Sequence, residues 1–288
     1  MNLMKIKWHS LRNVGSFWRD NMKNNIVDCH IHALTKEDLD LYKKTACATK
    51  YINVRGLYID ETLNPFEFEE FIDNKEMYFI DSVDLEDVDN ELKKVKNDLE
   101  KYPRIIAIKI YLGYQEYYAN DERIFKIVEF AANNNLAVTF HCGEMYGENG
   151  ESVYSPYSDA KYIEDVAKKY PNVNFIACHI NWPGFEEVFS LCNKYENFYT
   201  EFSGCNDGET EEDRKKQNQL IADNINKYIK KYPIVKKKLM YGTDFFAVAD
   251  EYSDVSSYIK ILDLLDITEE EKEDILHNNA CNAYKTEF

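Results

Sequence analysis

The sequence predicts an α/β fold in which eight parallel strands, each followed by a helix, close into a distorted (β/α)8 barrel. Three observations lead to it. From Ile26 onward, short stretches rich in β-branched and aromatic residues alternate with longer stretches of helical period, eight times over. The stretch 26–288 has the length of such a barrel, about 250 residues, and holds no linker rich in Pro, Gly or Ser and no repeat. Residues suited to chemistry recur at the last positions of the strands, and in a barrel those ends converge on one mouth. An open doubly wound sheet would use the same alternation, but no Gly-x-Gly-x-x-Gly follows the first strand.

Residues 1–25 differ from the rest and are expected to form an N-terminal extension to a single domain, 26–288. Lys5, Lys7, Arg12, Arg19 and Lys23 stand there against one acid, Asp20; Trp8 and Phe17 offer anchors, and His9 is given no role. Met22 is a second candidate start, so 1–21 is expected to be dispensable. Strand one follows, 26–32. Thr35, with Asp38 three residues on, suits a capped helix running to about Thr49. Strand two is Tyr51–Ile59, and Pro65 fits the first turn of a helix ending near Asn74. Strand three is Met77–Val83. A charged helix, Asp87–Lys101, puts Val88, Leu92, Val95 and Leu99 on one face and is stopped by Pro103.

Arg104–Tyr111 is strand four, apolar enough to be covered on both sides. A helix at Asp121–Asn133 leads to strand five, Leu136–His141, and then a long loop, Gly143–Tyr157. The helix Asp159–Tyr170 ends at Pro171, strand six is Val173–His179, and Phe185–Tyr195 is helical. Strand seven is Asn197–Phe202; after the loop Gly204–Gly208, a polar helix runs to about Lys231. Strand eight is Leu239–Asp244, and Tyr252–Leu265 and Glu269–His277 are closing helices.

Composition narrows the function. A formal net charge of -17 argues against nucleic acid or an anionic membrane surface as partner. No apolar run is long enough to span a bilayer and no signal pattern opens the chain, and seven cysteines without a Cys-x-x-Cys spacing suit a reducing cytoplasm. Three of the cysteines, Cys29, Cys142 and Cys178, neighbour histidines on strands. Alternation is expected to turn these thiols away from the histidine face, as small core residues rather than ligands.

The strand ends carry the chemistry. His30 and His32 are two apart on strand one, so both imidazoles face the same way, and such a pair is half of a transition-metal site. Strand four carries Lys109, strand five ends in His141, strand six in His179 and strand eight in Asp244. Four of the six histidines thus meet one acid at one mouth. Histidines with one carboxylate suit zinc, iron or manganese, and a catalytic site leaves a position open for water.

With these residues in place the chain resembles the amidohydrolase superfamily, in its amidohydrolase 2 branch. The matching motifs are Val-Asp-Cys-His-Ile-His at 27–32, Ala-Ile-Lys-Ile-Tyr at 107–111 and Thr-Phe-His-Cys-Gly at 139–143. The run Asp165–His179, Tyr-Gly-Thr-Asp at 241–244 and Asn279-Ala280 complete the set. The resemblance implies that His30, His32 and His141 bind a divalent metal with Asp244, which also takes a proton from the metal-bound water as general base. His179 would bind a second metal or orient the substrate, and Asp28 would support the pair from behind or make a turn contact. Lys109 is a carbamylated bridge in two-metal members. Here one ion, zinc by preference with manganese and iron as alternatives, is expected, with Lys109 near an anionic part of the substrate or in an ion pair.

The chain departs from the family where Phe245 and Phe246 follow Asp244 and where Tyr111 follows the lysine motif. Tyr114, Tyr117, Tyr118, Tyr146, Tyr154 and Trp182 lie in loops after strands four to six. They either line a pocket for an apolar, aromatic or sugar-like small molecule, or pack as loops or as a homo-oligomer interface. His277, in a closing helix, is given no role. The expected reaction is metal-dependent hydrolysis of a C–N or C–O bond in an amide, lactone or ester. The alternative is non-oxidative decarboxylation of an aromatic or unsaturated acid, its carboxylate anchored by Lys109 or Arg55. A ligand-binding barrel without turnover is the reading from another class.

Overall fold

Nine strands form one parallel sheet in a computed structural model that describes residues 25–57, 65–146, 151–206, 208, 210–247 and 255–288. The expected N-terminal extension, with Trp8, His9, Phe17 and Met22, lies outside the described residues. The strands are β1 (Val27–His32), β2 (Lys50–Val54), β3 (Met77–Ser82), β4 (Ile105–Ile110), β5 (Ala137–Phe140), β6 (Phe175–Ala177), β7 (Phe198–Glu201), β8 (Leu239–Met240) and β9 (Phe245–Phe246). Their order in the sheet is β8-β7-β6-β5-β4-β3-β2-β1-β9.

The two ends of that order, β8 and β9, are two parts of one segment, the eighth strand expected from the sequence. Its first part pairs with β7 and its last part with β1. Between them, Cys29 N–H donates to the Tyr241 carbonyl at 3.0 Å and Asp244 N–H to the His30 carbonyl at 2.8 Å. The sheet therefore closes on itself as a (β/α)8 barrel.

The interior is filled rather than hollow. One apolar cluster draws on every strand from β1 to β8, with Val27, Ile52, Ile80, Ile106, Ile176 and Met240 among its members, and Ala280, Ala283 and Tyr284 of the last helix close it from below. A larger cluster lies between the outside of the strands and the helices, taking Ile31, Leu39, Tyr42, Phe79 and Phe140. This two-sided burial explains why strands such as β4 read as continuous apolar runs.

Local signals held where a side chain could cap or stop a helix. Thr35 and Asp38 make a reciprocal capping box on the helix Lys36–Thr45. The helix Val88–Lys101 buries Val88 and Val95 and half-buries Leu92 and Leu99. Other boundaries moved. The helix after Pro65 starts only at Phe68, and the one expected over Asp159–Tyr170 is a 3-10 turn, Ala160–Ile163, running into the α-helix Glu164–Lys169. A short hairpin, Met145–Tyr146 with Ser152–Val153, interrupts the loop after β5. Val255–Leu264 is 3-10, and Glu269–Glu273 passes into a π-helical turn, Asp274–Asn278.

No helix among the described residues is long and apolar enough to cross a membrane. Because the capping box is exposed and its side chains bond only to the helix start, Thr35→Ala should lower unfolding free energy by about 1 kcal/mol. Urea denaturation checks this, and an unchanged midpoint would show that the cap contributes nothing.

Candidate metal centre

β1 delivers two candidate donors, His30 and His32, through a local irregularity. The pairing of β1 with β2 shifts register between Asp28 and Ile31. Strict alternation fails there. Cys29 packs with Val27 inside the barrel, and His30 faces inward beside it. This corrects the expectation that Cys29 turns away from the histidines: a bulge lets two consecutive side chains share a face. Asp28 points outward and accepts four hydrogen bonds, from Tyr42 O–H at 2.7 Å, Thr243 O–H at 2.7 Å, Thr243 N–H at 3.1 Å and His30 N–H at 3.1 Å. Burial still pushes its carboxyl up to about 7.

The imidazoles meet nitrogen to nitrogen. His30 Nε2 and His32 Nε2 are 3.2 Å apart, and Asp244 Oδ1 lies 3.4 Å from each. The other nitrogen of each ring is committed to an acceptor: His30 Nδ1 lies 3.0 Å from Glu201 Oε1, and His32 Nδ1 lies 2.8 Å from the Val54 carbonyl. Each Nδ1 therefore carries the hydrogen, and each Nε2 presents a lone pair. Two lone pairs and a carboxylate oxygen face one another with no hydrogen among them, an arrangement that calls for a cation. An ion bonded tetrahedrally at about 2.1 Å would space its ligand atoms about 3.4 Å apart. The three edges of this triangle fit that spacing.

Protonation is set for the same purpose. Burial first, and then the charge of Lys109, push His30 down to about 4, so its ring is neutral at neutral pH. Burial likewise holds His141 well below the ordinary histidine range. Burial works against ionisation of Asp244, but His30, His179 and His32 outweigh it and hold the carboxyl well below the usual range. Neutral imidazoles and an ionised carboxylate are the forms a divalent ion takes up. Asp244 itself has φ 59°, a left-handed conformation rare outside glycine. Gly204 makes room for it, since a Cβ there would lie 2.6 Å from Asp244 Oδ2 and 2.9 Å from His179 Nδ1.

His179 and His141 extend the site beyond the triangle. β6 stops at Ala177, and the chain turns through positive φ at His179, Ile180 and Asn181. His179 stacks on His30 with ring centres 5.1 Å apart, and its Nδ1 is 3.9 Å from Asp244 Oδ2. Its Nε2 meets His141 Nδ1 at 3.2 Å, while His141 Nε2 donates to the Glu144 carbonyl at 3.1 Å. His30, His32 and Asp244 thus form one donor set, and His141 sits one imidazole further out.

The turn after β6 also corrects the reading of Cys178. Its thiol does not turn away: Lys109 Nζ lies 2.9 Å from Cys178 Sγ, and Cys178 can join His30 and His179 as a second cluster of donor atoms. Alternation applies only while the chain is extended, and here it is not. Cys142 does pack in the outer core. Lys109 is fully buried and forms no ion pair among the described residues; its ammonium lies over the Tyr111 ring at 5.3 Å.

Sequence reasoning missed Glu201. It ends β7, is buried beneath His30, and also accepts from Ser203 N–H at 2.6 Å and His179 N–H at 3.3 Å. The signal was available: an acid near the end of an otherwise apolar strand whose counterparts elsewhere carry the site. Arg55 is committed to Asp81 at 3.3 Å and Asp98 at 3.6 Å, above the Phe68 ring, and so does not stand ready as a carboxylate anchor. Of the loop aromatics, Tyr114 meets His141 edge-on at 5.2 Å, with Tyr111 stacked behind. Tyr117 bonds Glu86, Tyr118 packs on Tyr157 and Tyr162, Tyr154 bonds Asp159, and Trp182 packs on Phe185. Tyr146 is largely exposed. His277 bonds the Asn25 carbonyl at 2.9 Å, in the closing helices.

A family model described as amidohydrolase matches residues 69–286. No curated protein matches the chain. Among solved structures, a probable 2-pyrone-4,6-dicarboxylic acid hydrolase from Acinetobacter baumannii is similar at 15% identity and TM-score 0.60, over 91% of this chain and 100% of that one. An amidohydrolase from Burkholderia multivorans with bound zinc is similar at 12% identity and TM-score 0.61, over 91% and 99%. A 5-carboxyvanillate decarboxylase from Novosphingobium aromaticivorans, complexed with manganese and 4-hydroxy-3-methoxy-5-nitrobenzoic acid, is similar at 10% identity and TM-score 0.61, over 92% and 97%.

The donor triangle is directly testable. His32→Ala should weaken zinc or manganese binding by more than the about 10–100-fold typical of losing an outer-shell contact. Competition with a chelator measures this; wild-type affinity in that variant would place the ion elsewhere.

Proposed function

Because the chain belongs to the amidohydrolase family, we propose that it is a metal-dependent hydrolase that breaks a C–N or C–O bond in a small-molecule amide, lactone or ester. The observation that carries this reading is the position of Asp244. Its Oδ1 completes the triangle with His30 and His32, while its Oδ2 is turned toward His179. Its side chain keeps 22% exposure, the one donor of the triangle open to the mouth. A carboxylate so placed can hold an ion with one oxygen and receive a proton on the other. A divalent ion bound there supplies Lewis acidity, activating water and polarising a substrate oxygen. His179, stacked on His30, orients the reacting group, and Tyr111 and Tyr114 behind His141 form an aromatic wall.

One ion suits the site better than two. The second cluster of donors shares His30 with the first, and the Lys109 side chain beside Cys178 Sγ opposes a further cation. Zinc is the proposed ion, and manganese and iron suit the same donors. The zinc-bound amidohydrolase and the pyrone dicarboxylate hydrolase of the same fold support this reading.

A second reading, decarboxylation of an aromatic acid, draws on Lys109. A buried lysine with no ion pair among the described residues can receive a substrate carboxylate. The manganese-bound decarboxylase of the same fold points the same way. Metal-loaded protein assayed against lactones and against hydroxybenzoates separates the two, since carbon dioxide release marks decarboxylation. Asp244→Asn should lose at least about 1000-fold in turnover, the loss of a positioned base together with altered ion charge. Near-normal rates in that variant, with ion content confirmed by metal analysis, would remove Asp244 as the base.

A further inference from the structure

The site contains one charged group that the proposed reaction does not use. Glu201 lies below the imidazoles on the side away from the mouth, 1% exposed. Its surroundings are built for a carboxylate. Four donors converge on it: His30 Nδ1 at 3.0 Å and His179 N–H at 3.3 Å on Oε1, Ser203 N–H at 2.6 Å on Oε2, and the thiol of Cys178 beside them. Gly242 leaves the space for it, because a Cβ there would lie 2.8 Å from Glu201 Oε2 and 3.1 Å from the Ser203 Cβ.

We propose that Glu201 is a positioning residue that fixes the proton of His30 on Nδ1 and ties β1 to the turn carrying His179. This rests on reading His30 as a ligand. A carboxylate can only accept, so His30 must present N–H on that side and a lone pair on the other. Ser203 Oγ also lies near, 3.1 Å from His30 Nδ1 and 3.0 Å from His179 Nδ1. A hydroxyl can donate or accept and therefore imposes neither tautomer; only Glu201 does. The same Oε1 takes the His179 backbone N–H, inside a turn where His179 has φ 61°. One oxygen thus sets the proton of one histidine and the backbone of the other.

The test reads the proton itself, without metal or turnover, so its outcome is separate from that of the hydrolase assay. In the metal-free full-length protein with nitrogen-15 histidine, long-range proton–nitrogen spectra assign each ring's tautomer. Wild-type His30 should carry its hydrogen on Nδ1; finding it on Nε2 would overturn the proposal before any variant is made. Glu201→Gln offers an amide that can donate to Nδ1, so His30 should shift toward the Nε2-protonated form and zinc affinity should fall about 10–100-fold. Ser203→Ala should leave the His30 tautomer unchanged. A Glu201→Gln protein that keeps His30 protonated on Nδ1 and binds zinc with wild-type affinity, or a Ser203→Ala protein that shifts the tautomer, would reject the assignment.

Discussion

The site depends on the seam where the barrel closes. Strand β1 meets the segment 241–246 through two backbone hydrogen bonds, and the Asp28 carboxylate grips that segment at Thr243 by both N–H and O–H. The next residue is Asp244. The grip on Thr243, together with the bond from Asp244 N–H to the His30 carbonyl, sets the carboxylate against His30 and His32. Closure of the fold and assembly of the donor set are therefore one event. A chain whose last strand failed to dock would have two histidines side by side and no acid between them. Tyr42 adds its hydroxyl to the same carboxylate and so connects the helix Lys36–Thr45 to the seam.

Much of this was legible in residue order. The pair His30 and His32 is two apart on a short strand, and that spacing survives a bulge because both residues still reach the interior. His141, His179 and Asp244 were found because each follows an apolar run, and a run's end is the easiest feature of a parallel strand to see. The orientation of Cys178 was not legible. It depends on a turn in which His179, Ile180 and Asn181 all take positive φ, and the β-branched isoleucine at its centre is a residue type that avoids such a conformation. Glu201 was hidden for another reason. A glutamate in a strand ordinarily reads as a solvent-facing position, and nothing local says that the neighbouring strand will present a histidine to it. Arg55 shows the converse: it was expected as one of two anchors for a substrate carboxylate, whereas folding brings Asp81 and Asp98 to it.

Strain and charge are concentrated at the mouth. Asp244 and His179 are both held in left-handed backbone, a cost of order 1–3 kcal/mol each that surrounding contacts must offset. The stacked rings of His30 and His179, the glycine at 204 and the carboxylate of Glu201 supply those contacts. Surface acids set the net charge, while the buried carboxylates of Asp28 and Glu201 are held by hydrogen-bond donors, so two populations of carboxylate serve different ends in one molecule.

The last helix has a consequence for traffic. Ala280, Ala283 and Tyr284 seat against the apolar floor, and Tyr78 and Asn25 fasten the final residues through the Glu287 and Phe288 carbonyls. The stave-lined vessel therefore has a stopper at one end, with its bore packed by side chains up to the level of the imidazoles. Among the described residues the way to the imidazoles is left at the other end, so a small molecule would arrive and leave by the same end.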